Sequence, residues 1–198
     1  MPTLSRPVDA NPGSRERLIR ELHDQALVIA DVTLSSGKKA SYFIDAKRLI
    51  LRASGFRLLA EQVEHYVREF GATAVGGLTL GADAIACAAL VDATDEMKGF
   101  FVRKEPKPHG LQKLIEGPPL ESSDRCLIVD DVVTSGSSTI KAIQAVQLLD
   151  VEICGVLAIL DRLAGGKEAI EAEARAPFVA LTTIDDVYPG RPDREAAA

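Results

Sequence analysis

The sequence predicts an α/β fold built on a largely parallel sheet covered by helices on both faces. Three observations carry that reading. Apolar runs of strand length alternate with stretches of helical apolar spacing along most of the chain. One such run, Leu127-Ile128-Val129, leads into the paired acids Asp130-Asp131 and a turn of small residues that opens a helix. The length of 198 residues with 46% hydrophobic content suits a single domain with a substantial core.

Taken in order, Ser14 is placed to cap a first helix whose apolar face uses Leu18, Ile19, Leu22 and Leu27. A second helix from about Ser54 to Phe70 presents Leu58, Leu59, Val63, Tyr66, Val67 and Phe70 at helical spacing, and Gly71 stops it. Ala74 to Leu80 reads as a strand, Asp83 to Asp92 as a helix, and Gly99 to Val102 as a strand. After a basic loop come a strand at Cys126 to Val129, a helix at Thr139 to Leu149 and a strand at Val151 to Leu160. A helix near Lys167 to Ala174 and a strand near Phe178 to Ile184 complete the series. The whole chain, 1–198, is expected to form one domain, with 1–13 and 189–198 disordered.

The stretch from Leu127 to Thr139 says most about chemistry. A strand's carboxyl end puts Asp130 and Asp131 at a binding edge, and Thr134, Ser135, Gly136, Ser137 and Ser138 then offer hydroxyls and backbone N–H groups at a helix N-terminus. That nest suits a phosphate. Two carboxylates beside a phosphate repel it unless they hold something else, and ribose hydroxyls or Mg²⁺ are the natural choices. A pentose 5-phosphate satisfies both halves. The bland alternative, a capped helix with solvated acids, leaves five small residues after a paired acid unexplained. A Walker A loop is excluded because no Lys lies between the last Gly and the Ser or Thr. Gly76, Gly77 and Gly81 lack dinucleotide-site spacing and suggest only a tight turn near the same edge.

A second feature is the cationic stretch with Arg103, Lys104, Lys107, His109 and Lys113, interrupted by Pro106, Pro108 and Gly110. A solvated surface loop is the ordinary fate of such composition. This one directly follows an apolar strand and runs for about fifteen residues, longer than most connections need. A lid bringing cations to an anionic leaving group fits it better.

The run Val-Asp-Asp-Val-Val-Thr-Ser-Gly at 129–136 resembles the signature of phosphoribosyltransferases that use 5-phosphoribosyl 1-diphosphate (PRPP). The Arg-Lys-x-x-Lys-x-His-Gly loop at 103–110 resembles that of the orotate phosphoribosyltransferases. So do Leu34-Ser35-Ser36-Gly37-Lys38, Ser41-Tyr42-Phe43-Ile44-Asp45 and Leu160-Asp161-Arg162, and the likeness runs from about residue 15 to about residue 185. The resemblance implies the phosphoribosyltransferase fold with a small N-terminal hood, and transfer of ribose 5-phosphate from PRPP to orotate in UMP biosynthesis.

Roles follow by matching positions. Arg103, Lys104, Lys107 and His109 correspond to loop residues that contact the diphosphate, with Lys107 the foremost catalytic candidate. Asp130 and Asp131 correspond to the ribose clamp that also stabilises a cationic sugar. Together with Val132, Val133 and Thr134 to Ser138 they form the PRPP site. Arg162, with Thr134, corresponds to the orotate site, its planar fork facing the base's carboxylate, and Tyr42 and Phe43 would line that pocket. No direct metal ligand is implied: Mg²⁺ arrives on PRPP, water-bridged to Asp130 and Asp131. The family also implies a homodimer with shared active sites.

Two departures stand out. Many members carry Lys where this chain has Ser35 and Leu80, so the loop residues, or Lys38 and Lys39, must carry more of the diphosphate's charge. Another base specificity, or a PRPP-sensing regulator without catalysis, are the alternatives. A carboxylate partner for Arg162 disfavours the first, and the absence of a nucleic-acid-binding module disfavours the second. A net charge of −6 and a pI near 5.2 argue against nucleic acid or an anionic membrane as the main partner. No apolar run reaches membrane-spanning length. Cys87, Cys126 and Cys154, sparse and without paired spacing, read as buried reduced thiols of a cytoplasmic protein.

Overall fold

The computed structural model describes residues 12–33, 39–105 and 114–194. Helix α1 (Pro12–Glu21) runs into a π-helical turn (Leu22–Ala26), and the hairpin strands β1 (Leu27–Thr33) and β2 (Lys39–Ile44) follow. Next come α2 (Lys47–Ile50), α3 (Ala53–Phe70), β3 (Ala74–Leu78), α4 (Asp83–Ala88), β4 (Lys98–Val102) and β5 (Ile115–Glu116). The remainder is β6 (Arg125–Val133), α5 (Ser137–Gln147), β7 (Glu152–Asp161), α6 (Gly166–Ala174), β8 (Phe178–Thr183) and α7 (Ile184–Val187).

The six-stranded sheet has the order β5-β4-β3-β6-β7-β8, parallel except for the short edge strand β5. From β3 the chain moves outward to β4, and from β6 it moves the other way to β7 and β8. The boundary between β3 and β6 is therefore a topological switch point, where the connections diverge and leave a crevice beyond the strand ends.

Alternation along β6 splits the core between the two faces. Leu127 and Val129 join Leu59, Val63 and Leu157 beneath α1 to α4, whereas Cys126 and Ile128 join Ala142, Ile143 and Val156 beneath α5 and α6. Gly71 closes α3 in the left-handed conformation at φ +59°, as its place in the sequence predicts.

Several boundaries differ from the sequence reading. The first helix stops before Leu27, which opens the antiparallel hairpin β1–β2 of the predicted hood. Ser14 lies inside α1, not at its cap, and its hydroxyl accepts from Gln62 Nε2 at 2.7 Å. Gly76 and Gly77 belong to β3 itself, which ends at Leu78. The segment expected to be disordered from 189 packs back onto the protein as far as Arg194, with Arg191 buried. Cys126 and Cys154 are buried, and burial pushes their thiols up to about 12 and about 11, but Cys87 is exposed.

Candidate active site

Strand β6 continues through the paired acids to Val133, so Asp130 and Asp131 are strand residues rather than the first residues beyond a strand. This correction explains their geometry, because successive strand side chains face opposite ways. Asp130 follows Cys126 and Ile128 toward α5, where Thr139 Oγ1 donates to its Oδ2 at 2.7 Å. Asp131 follows Leu127 and Val129 toward the hood, where Lys47 Nζ donates to its Oδ2 at 2.9 Å. The pair straddles the sheet edge.

The two carboxyls also differ electrostatically. Burial, with a smaller contribution from Asp131, pushes Asp130 up to about 7 despite the bond from Thr139. Burial opposes the charge on Lys47, but hydrogen bonds and attraction from Asp131 and Asp45 outweigh it and raise its pKa. Lys47 was missed in the sequence reading, although it stands two residues beyond the Tyr42-Phe43-Ile44-Asp45 segment. Its Nζ also lies 3.0 Å from Asp45 Oδ1, so the hood is tied to the acidic pair by charge.

Gly81 explains how the turn after β3 comes so close. A Cβ there would lie 2.5 Å from Asp131 Oδ1 and 3.1 Å from Asp130 Oδ1, so a side chain would collide with both acids. Leu80, beside it, is 70% exposed and presents an apolar side chain at this rim.

Beyond β6, Gly136 takes φ +76° at the N-cap of α5, and no side chain caps that helix. Thr134, Ser135, Ser137 and Ser138 are exposed around it. No side chain accepts from the first-turn N–H groups of α5, and Ser137 to Thr139 line the cavity in front of them. Gly166 at the start of α6 backs the loop so tightly that a Cβ would lie 2.6 Å from the Thr134 carbonyl oxygen. A cavity of ≈ 350 Å³ results, lined by Asp130, Val132 to Thr139 and Arg162.

Arg162 reaches this cavity because β7 ends beside β6: its N–H donates to the Val133 carbonyl at 2.8 Å. Its guanidinium donates to Tyr42 Oη at 3.0 Å and lies 5.1 Å from that ring's centroid. Asp161 is not its partner, since that carboxylate accepts from Leu163 N–H at 2.9 Å. Tyr42 thus touches the cavity through Arg162, while Phe43, next along β2, is on the hairpin's opposite face; neither ring is among the residues that line the cavity.

Arg103 leaves the end of β4 and is held to its own sheet edge, with Nη1 3.3 Å from Glu116 Oε1 and its N–H bonded to the Leu114 carbonyl. Lys104 is exposed. Lys107 and His109 lie outside the described residues, as do Ser35 and Lys38.

No protein-family model matches the chain. It is 44% identical over 179 residues to the orotate phosphoribosyltransferase of Aquifex aeolicus, covering 87% of this chain and 97% of that one. The enzyme of the same name from Corynebacterium glutamicum is 39% identical over 177 residues, with 89% and 95% covered. Among solved structures, orotate phosphoribosyltransferase of Mycobacterium tuberculosis with Fe(III) dicitrate superposes with a TM-score of 0.79 at 35% identity, covering 88% of this chain and 99% of that one. The same enzyme in complex with PRPP gives 0.74 at 32% identity, with 88% and 98% covered.

Proposed function

We propose a division of labour in this site from one premise: the chain belongs to the orotate phosphoribosyltransferase family. Its reaction is the transfer of ribose 5-phosphate from PRPP to orotate, giving orotidine 5-monophosphate and diphosphate, in pyrimidine biosynthesis. The observation that carries the assignment is a single cavity bounded by Asp130, an uncapped helix N-terminus and Arg162.

In this reading the 5-phosphate of PRPP sits in the Thr134 to Ser138 cradle, neutralised by N–H groups and the positive end of α5. Asp130 and Asp131 accept from the ribose hydroxyls. As the bond from C1 to diphosphate loosens, positive charge grows on the sugar, and the nearby carboxylates stabilise it. Lys47, donating to Asp131, holds that carboxylate in place for the purpose. Arg103, Lys104 and Lys107, with His109, meet the negative charge accumulating on diphosphate when the loop closes, and closure excludes water that would otherwise hydrolyse the sugar. The ring nitrogen of the orotate anion then attacks C1, while Arg162 holds the base's carboxylate. No covalent intermediate on the protein is needed.

Two hard carboxylates, each oxygen already accepting one hydrogen bond, suit a hydrated Mg²⁺ delivered by PRPP better than a resident ion. Among the described residues there is no group of three or more potential metal ligands. Asp130 and Asp131 would hold Mg²⁺ through its waters, and the ion would neutralise diphosphate charge. We read the assembly as a cytoplasmic homodimer in which the 103–113 loop of one subunit covers the partner's site. The loop leaves the sheet edge at β4, two strands or about 10 Å from β6. Among the described residues no helix is long and apolar enough to cross a membrane. Replacing Arg162 by Ala tests the base end directly: KM for orotate should rise far more than KM for PRPP, and equal changes would contradict the assignment.

A further inference from the structure

The segment following α7 returns to the base end and leaves a carboxylate there. Tyr42 Oη lies 2.9 Å and 3.0 Å from the two carboxylate oxygens of Asp193. Arg191 Nε lies 3.3 Å from Asp193 Oδ1, and Arg162 Nη2 lies 3.8 Å from Oδ2. Three donors from three separate segments converge on one side chain.

The donors are buried or largely so, and the acceptor is half exposed. Tyr42 is 2% exposed and packs edge-on against Tyr188 at 5.3 Å between ring centroids. The Arg191 side chain is 5% exposed and ion-paired to Asp185 at 2.8 Å, whereas Asp193 is 51% exposed. Burying a guanidinium and a phenol to tie down a half-exposed aspartate is a poor return in stability, since exposed ion pairs contribute little. The same arrangement is well suited to a carboxylate receptor whose occupant can be exchanged.

We propose that Arg191 and Tyr42 form, with Arg162, the receptor for orotate's carboxylate, and that Asp193 is an internal competitor seated there until orotate displaces it. The proposal rests on the reading of Arg162 as the orotate-carboxylate residue. It adds a source of selectivity. A base bearing a carboxylate replaces what it displaces, while a base without one must either enter beside Asp193 or leave the Tyr42 hydroxyl and the Arg191 Nε without the acceptor that Asp193 gave them. Apparent orotate affinity is lowered by the fraction of molecules in which Asp193 is seated.

Steady-state kinetics, with each substrate varied at a saturating concentration of the other, test this with Asp193→Ala, Arg162→Ala, the double variant and Arg191→Gln, each checked by thermal unfolding. Asp193→Ala should lower the orotate KM roughly three- to sixfold, the reach of a half-exposed ion pair, without a matching fall in the PRPP KM. Arg191→Gln should raise the orotate KM, with Arg191→Lys recovering part of the loss. In the Arg162→Ala background the gain from removing Asp193 should shrink, because the two side chains share one receptor. An orotate KM that is unchanged or raised in Asp193→Ala overturns the competitor while leaving the Arg162 assignment intact. An orotate KM indifferent to Arg162→Ala overturns both.

Discussion

The proposed phosphate end and the proposed base end of this site are built in opposite ways. The phosphate end is one unbroken stretch, β6 through the first turn of α5, in which backbone geometry supplies the binding groups and the sheet fixes them. The base end is assembled from β2, the end of β7 and the segment after α7, meeting through side chains alone. The contiguous stretch is held by the backbone hydrogen bonds of the sheet and of the helix it opens. A scattered site depends on long-range ion pairs and hydrogen bonds that a ligand can exchange. On this comparison, damage at the phosphate end should abolish turnover, and damage at the base end should change selectivity and apparent affinity.

The largest effect belongs to the acidic pair. Asp130→Asn combined with Asp131→Asn should retain the fold and lower turnover at saturating PRPP by at least about a thousandfold, since it removes stabilisation of charge developing on the sugar. Near-normal turnover would break the ribose-clamp assignment. The lid gives a comparable loss with a different remedy. Lys107→Ala and Asp131→Asn should each be inactive alone, yet after subunit exchange an equal mixture should recover about a quarter of wild-type sites if the lid crosses a dimer. Mixtures no more active than their components, with exchange confirmed independently, would place the lid over its own subunit.

At the base end, Arg162→Ala should raise the orotate KM by roughly 10- to 150-fold, the equivalent of a charge-assisted pair of about 1.5–3 kcal/mol. The smallest effect is on stability. Asp130 is raised to about 7 in the folded protein from an ordinary 3.8, so the folded state retains a proton that the unfolded chain releases between those values. Stability is therefore lost as pH rises from about 4 to about 7, and the loss persists above that range. Asp130→Asn should melt at higher temperature than wild type at pH 8, by on the order of 1–3 kcal/mol in stability, and the advantage should fade toward pH 4. Calorimetry across that range checks the sign.

The same contrast accounts for what was legible in the sequence. The 127–139 stretch could be read because its chemistry and its order along the chain coincide. Its boundaries were off at two points, the strand running on from Val129 to Val133 through aspartates, which are depleted in strands, and the helix starting at Ser137 rather than Thr139. The hairpin at Leu27 was hidden because Leu18, Leu22 and Leu27 continue a helical spacing that the π-helical turn interrupts. Lys47 carries no motif of its own, and its role depends on Asp131, 84 residues further along the chain. Arg191 was concealed by the Pro-Gly-Arg-Pro-Asp-Arg run, whose composition is that of a disordered tail, while its burial depends on Asp185 and Asp193. Tyr42 and Phe43 could be separated only once the pleat of β2 was known.

Whether one cavity joins a ribose-phosphate cradle to a receptor for a base carboxylate is decided by initial rates for the purified protein with PRPP, Mg²⁺ and a panel of orotate, uracil, adenine and hypoxanthine. Orotate should be converted to its nucleoside monophosphate with kcat/KM at least about a hundredfold above uracil, which lacks the carboxylate. Turnover of uracil or a purine at or above that of orotate would contradict the account.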